Sequence, residues 1–120
     1  MIKLYNFSKK YSFELAKHDL PEKLSWINAR EFCQNNSENW RLPKLEELKI
    51  IYDYSELNKD LFLTNDDYWS GDLVFNYENE ELLRMIGLAF TFDMKNGISF
   101  PGGAIVTERK LVRLVRNVCK

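Results

Sequence analysis

The run Trp40-Arg41-Leu42-Pro43-Lys44-Leu45-Glu46-Glu47-Leu48 constrains this chain most, because it couples a helix start to an aromatic-basic pair. Proline holds φ near the helical value and has no N–H to leave unpaired, so Pro43 suits a first helical position. Leu45, Leu48 and Tyr52 follow at spacings of three and four and give one apolar stripe. Glu46 and Glu47 put carboxylates where they complement the helix dipole. The spacing predicts a helix from about Pro43 to Tyr54. Trp40 and Arg41 stand just outside it; the Trp is expected to plug the core across the helix start, and the Arg to reach a carboxylate or a carbonyl.

A chain of 120 residues suits one domain spanning residues 1–120. With 45% hydrophobic and 14% aromatic residues it belongs to the globular class. Its 17 basic and 18 acidic residues leave a net charge of −1, which makes no electrostatic case for a nucleic-acid partner. No apolar run approaches the ~20 residues of a membrane-spanning helix. The opening residues lack the apolar core and small-residue site of a signal peptide. A cytoplasmic protein is the expectation, with non-classical export as the alternative.

Alternation over residues 2–7, and again at Tyr11, Phe13 and Leu15, predicts one or two short strands. His18 to Pro21 is a connector. Ser25 is a good N-cap, and Trp26, Ala29 and Cys33, with Phe32 alongside, predict a helix from Trp26 to about Asn35. Beyond the second helix, residues 55–67 read as a loop anchored by Leu61 and Phe62. Tyr68-Trp69-Ser70 reads as a short strand ending at Gly71. The acidic segment from Asp72 to Arg84 reads as a solvent-facing excursion, or as one with a short strand at Leu73 to Phe75. Ile86, Leu88, Phe90 and Phe92 mark another strand, and Asn96-Gly97 a tight hairpin turn in which both residues tolerate positive φ. Ile98 and Phe100 begin the return, Pro101-Gly102-Gly103 breaks it, and Ala104 to Thr107 resumes it. Lys110 to Val118 forms a last strand. The order, strands then two helices then antiparallel strands, is the α+β pattern, with two helices packed on a twisted antiparallel sheet.

Four pieces in order carry a resemblance: Trp26-x-x-Ala29-x-x-x-Cys33, Trp40-Arg41-Leu42-Pro43-x-x-x-Glu47-Leu48, Tyr68-Trp69-Ser70 and Val112-Arg113-Leu114-Val115-Arg116. Together they resemble the bacterial family named for the C-terminal domain of the Legionella collagen-like adhesin (Lcl), a domain distantly similar to the C-type lectin fold. The resemblance runs from about Tyr11 to Val118. The chain departs from the family pattern at Asn39, where the family has Gly, at Lys44, where it has Thr, and at Gly71, where a second Ser is common. The calcium-binding runs of C-type lectins proper do not occur, so the resemblance implies no calcium-dependent sugar site. In those lectins a disulfide joins elements equivalent to those of Cys33 and Cys119; a chain without a signal peptide is expected to meet a reducing compartment, which weighs against that bond.

Arg113 and Arg116 fall on opposite faces of a regular strand, so one points inward and needs a carboxylate, with Glu46 or Glu47 as the expected partner. The single histidine, His18, marks no triad with Cys33 and no Cys/His metal cluster. Asp66, Asp67, Asp72, Glu78, Glu80 and Glu81 fit no calcium loop and read as a solvated acidic edge. No cofactor or metal is expected. The related fold hosts formylglycine-generating oxidases, which are longer and use a cysteine pair that Cys33 and Cys119 do not reproduce.

Three functions are weighed: a non-catalytic binding module for a protein or glycan ligand, an enzyme, and a subunit of a phage, secretion or surface assembly. The first is the expectation, with recognition by residues 66–84 and 100–108, the loops a rigid scaffold displays. Tyr68, Asp72, Phe75, Tyr77 and Glu78 are the candidate ligand contacts. Trp26, Trp40, Arg41, Pro43, Glu47, Trp69, Arg113 and Arg116 are the candidate structural residues.

Overall fold

The computed structural model describes residues 2–5, 12–58, 60–61 and 63–118. Two stretches far apart in sequence, residues 12–25 and 109–117, lie side by side and frame the architecture. Strand β2 (Ser12–Leu15) pairs antiparallel with β9 (Val115–Asn117), and β3 (Leu24–Ser25) with β8 (Arg109–Lys110). Between them the Ala16 N–H donates to Leu114 O at 3.0 Å and the Leu20 N–H to Val112 O at 2.9 Å. The first stretch is the longer, and its excess bends outward at Lys17-His18 and Pro21-Glu22. Proline has no N–H to give a ladder, which suits that bend. Strand β1 (Ile2–Tyr5) adds to the outer side of β2. Asn6, Phe7 and Tyr11, which the alternation also assigned to strands, lie outside the described residues, as does Phe62. The expected last strand is therefore split, with Val112, Arg113 and Leu114 between its two pieces.

Helix α1 covers Trp26–Asn35, as its apolar spacing predicts, and the Ser25 hydroxyl accepts from the Asn28 N–H at 3.1 Å. Helix α2 covers Leu45–Leu57, two residues later at its start and three later at its end than the spacing predicts. Pro43 precedes the helix rather than opening it; its carbonyl accepts from the Gly71 N–H at 2.7 Å, tying the approach to the next sheet. Lys44 stands at the N-cap with no side-chain acceptor to offer. Its own N–H donates to the Glu47 carboxylate of the first turn at 2.8 Å, and the Leu45 N–H donates to Asp72 Oδ2 of β4 at 2.7 Å, so other carboxylates serve this helix start.

Strand β4 (Asp67–Leu73) is longer than Tyr68-Trp69-Ser70, runs through Gly71, and pairs antiparallel with β5 (Leu88–Asp93). On the other side of β5 lie two short pieces in line, β6 (Ile98–Ser99) and β7 (Ala104–Ile105), separated by the Pro101-Gly102-Gly103 break. The acidic segment contains a third helix, α3 (Glu80–Ile86), where the sequence reading had an irregular excursion. Asn79 caps it, accepting from the Leu82 N–H at 2.8 Å, and Ile86, assigned to a strand by alternation, ends it. Arg30 of α1 pairs with Glu80, and Arg84 with Glu31 at 3.1 Å, which clamps α3 against α1. The architecture is thus mixed α+β, with three helices and antiparallel sheets among the described residues.

Successive strand residues face opposite ways, and β4 uses this to divide two cores. Tyr68 enters one with Phe13, Leu15, Leu48, Ile51, Phe92 and Val115; Trp69 enters the other with Trp26, Ala29, Leu42, Leu83, Val106 and Leu114. Leu114 and Val115 divide in the same way on the closing stretch. The Trp26 indole N–H donates to Ser70 O at 2.9 Å and that of Trp69 to Leu24 O at 2.8 Å, so each buried ring also bridges two elements.

Two substitutions test this account. Lys44→Thr supplies the missing acceptor at the N-cap of α2 and is expected to stabilise the fold by about 1 kcal/mol in urea unfolding. Asn39 sits at φ 66°, in the left-handed region that Asn tolerates and branched residues do not. Asn39→Gly should keep the wild-type midpoint, whereas Asn39→Val should lose about 1–2 kcal/mol in the same titration.

Candidate functional site

Two exposed loops meet at one end of β5. The Val74 N–H donates to Leu88 O at 2.9 Å, which brings the loop after β4 alongside β5. Gly103, in the loop between β6 and β7, packs so closely that a Cβ there would lie 2.6 Å from both Ala89 O and the Val74 side chain. Its φ of 68° is the second reason for glycine at this position. The Gly103 N–H closes the Pro101-Gly102 turn on Phe100 O at 3.0 Å. This arrangement leaves Phe75 61%, Phe100 69% and Ile105 48% exposed. A cavity of about 260 Å³ opens beside Phe100 and Ile105, lined also by Leu88, Thr91, Asp67 and Glu108. Charge at its edge comes from Lys110, whose ammonium lies 3.5 Å from Asp67 and 3.7 Å from Glu108. The site therefore offers apolar contact area beside a small cluster of mixed charge.

Of the five candidate ligand contacts, Phe75 and Glu78 stand on the exposed loop between β4 and α3, and three serve the fold instead. Tyr68 is buried; its hydroxyl donates to Asp19 at 2.8 Å and accepts from the Thr64 N–H at 2.9 Å. Burial, reinforced by the Asp19 carboxylate and opposed by the Thr64 N–H, pushes its phenol up to about 12. Asp72 caps α2. The Tyr77 hydroxyl accepts from the Leu88 N–H at 2.8 Å and holds the loop down. Phe100, Ile105 and Glu108 lie in the 100–108 loop expected to take part in recognition, although none was among the candidate contacts, and Lys110 lies just beyond it. Their signal lay in a bulky aromatic placed directly before Pro-Gly-Gly on a strand that the break keeps short.

Of the candidate structural residues, Arg113 has a different partner from the one expected, and Trp40, expected to plug the core, only packs at its margin. Arg113 is the inward-pointing arginine, but its Nε donates to Asp19 at 2.8 Å and its Nη1 to Ala16 O at 3.2 Å. Glu47, one of its two expected partners, is held instead by Arg41, through two bonds of 2.7 and 2.8 Å; Glu46, the other, is exposed. Arg116 pairs with Glu14 at 3.3 Å and lies over the Trp40 ring at 4.4 Å. Trp40 is half-buried, whereas Trp69 is wholly in the core.

A second, larger hollow of about 590 Å³ lies between the end of α1 and the connector after β2, lined by Phe32, Trp40, His18 and Glu38. Cys33, nearby on α1, carries a free thiol that burial pushes up to about 11. Its prospective disulfide partner, Cys119, lies outside the described residues. Among the described residues no three His, Cys, Asp or Glu side chains gather as a metal site would require, and no helix is long and apolar enough to cross a membrane. A scan against protein-family models and a search of curated proteins each returned no match.

The Asp19 knot is open to test. Arg113 is 3% exposed, so Asp19→Ala would take the facing carboxylate away from a buried cation and is expected to cost about 3 kcal/mol in urea unfolding. Tyr68 titrates near 10 when unfolded and near 12 when folded. Its contribution is whole below pH 10 and lost as pH rises through 12, because the unfolded chain releases the proton first. Tyr68→Phe should therefore lose less stability than the wild type across that interval.

Proposed function

We propose that this chain is a non-catalytic binding module of the Lcl C-terminal type, C-type-lectin-like in fold, which recognises a protein or glycan ligand with the loops at residues 74–79 and 100–108. The observation that carries the reading is the meeting of those loops at Val74 and Gly103, which leaves Phe75, Phe100 and Ile105 exposed, the last two on the wall of the Lys110 cavity. Large apolar side chains gathered in this way lose free energy to water until a partner covers them.

Two departures from the family pattern support the resemblance. Asn39 stands where the family has Gly, and its φ of 66° is a conformation that favours glycine. Lys44 stands where the family has Thr, at the N-cap of α2, a position that threonine serves well. At the third, Gly71, a Cβ would come within 3.3 Å of Leu42 Cβ, so the serine common there needs Leu42 to shift slightly.

An assembly subunit is the second reading, favoured because Met85, Ile86 and Ile98 are also 68%, 60% and 58% exposed. The test is a printed glycan array and a phage-displayed peptide library, each probed with wild type and with a Phe75→Ser, Phe100→Ser double variant. Enrichment by the wild type that falls at least about tenfold in the double variant is expected for a recognition site. Equal enrichment by both proteins would move the site elsewhere. No enrichment, with a wild-type solution mass at a multiple of 14.3 kDa that an Ile86→Ser, Ile98→Ser variant reduces, would favour the assembly reading in its place.

A further inference from the structure

The turn between β5 and β6 contains the most chemically labile dipeptide of the chain, Asn96-Gly97. In such a pair the glycine amide nitrogen, once deprotonated, attacks the asparagine side-chain carbonyl carbon. A C–N bond forms, ammonia leaves, and water opens the resulting succinimide to aspartate or isoaspartate. Glycine favours this because no side chain obstructs the approach.

The folded turn ties up both reacting groups. The sequence suggests a two-residue turn with positive φ at Asn96 and Gly97; the structure has a four-residue turn, Met94 to Gly97, with positive φ at Gly97 alone. Asp93 organises it. The Gly97 N–H, which would become the nucleophile, donates to Asp93 O at 2.8 Å. The Asn96 side-chain amide, which would leave as ammonia, donates to Asp93 Oδ2 at 2.8 Å. The other carboxylate oxygen accepts from the Lys95 N–H at 2.8 Å. Behind the turn, the Tyr52 ring packs so closely on Gly97 that a Cβ there would lie 2.5 Å from it.

We propose that Asn96 is a deamidation site gated by Asp93: the closed turn suppresses succinimide formation, and the reaction proceeds only in molecules whose turn has opened. The product cannot reseal the gate. A carboxylate at position 96 would face Asp93 Oδ2 where an amide donor stood, and two like charges at hydrogen-bond distance repel. Each event would leave β6, and Phe100 after it, more loosely held. The inference stands on the turn alone and is independent of the proposed recognition function.

The test is peptide mapping by mass spectrometry of the folded wild-type chain, the same chain in urea, and folded Asp93→Ala, all aged in mildly alkaline buffer. Wild type should deamidate at Asn96 at least about tenfold more slowly folded than unfolded, because reaction waits on local opening. Folded Asp93→Ala keeps the Gly97 N–H bond to the backbone carbonyl but loses the carboxylate that holds the Asn96 amide and the Lys95 N–H, so it should deamidate severalfold faster than folded wild type while staying slower than the chain in urea. Equal rates for folded and unfolded wild type would overturn the proposal, as would an Asp93→Ala rate as slow as wild type. Should Asp93→Ala not fold, hydrogen exchange at the wild-type Gly97 amide decides: protection to the same degree as the deamidation rate upholds the gate, and an unprotected amide refutes it.

Discussion

The carboxylate of Glu47 is the joint on which the rest of the fold turns. It is 2% exposed, and a carboxylate that deep is costly unless its lone pairs are met. Here they are met by two Arg41 bonds and the Lys44 N–H. Charge-assisted, bidentate geometry is the strong form of such contacts. The consequences spread through the backbone: Arg41 exchanges N–H···O bonds of 2.8 and 3.0 Å with Val115, so the start of α2 is locked to β9. Strand β9 in turn holds β2, and the two cores form on either side of the β4 and β9 segments. The run Trp40 to Leu48 is thus a clasp between a helix and the closing strand, and its role is architectural.

The division of labour among aromatic residues follows from that frame. Trp26, Tyr68, Trp69 and Tyr77 each satisfy their polar atom inside the protein, which fits a large ring with one polar end to a buried or half-buried place. Phe75 and Phe100 have no polar atom to satisfy and stand on loops tied to β5 and to each other by backbone contacts. Such ties matter for recognition, since a loop already held in place loses less entropy on meeting a partner.

Much of this was legible in the sequence where the cause is local. Helix α1 follows from Ser25 and the spacing of its apolar residues. The start of α2 was misplaced by two residues because proline's fixed φ suits the approach to a helix as well as its first turn. Helix α3 was missed because seven residues with one buried side chain, Leu83, show no periodicity, and its carboxylates read as solvated loop. The cap at Asn79, the acidic first turn and Arg84 before Gly87 were the available clues. The partner of Arg113 was out of reach: Asp19 lies 94 residues away in sequence. The candidate contacts Tyr68, Asp72 and Tyr77 were chosen for residue type, and type does not reveal burial.

The pairing of β2 with β9 has a kinetic consequence. Glu14 and Arg116 meet although 102 residues separate them, so the largest loop in the chain must close before either core can be completed. Contacts of such span slow folding relative to helical proteins of equal size. The helices rest on local contacts, but neither core is complete until the closing strand docks on β2 and on the Arg41 backbone.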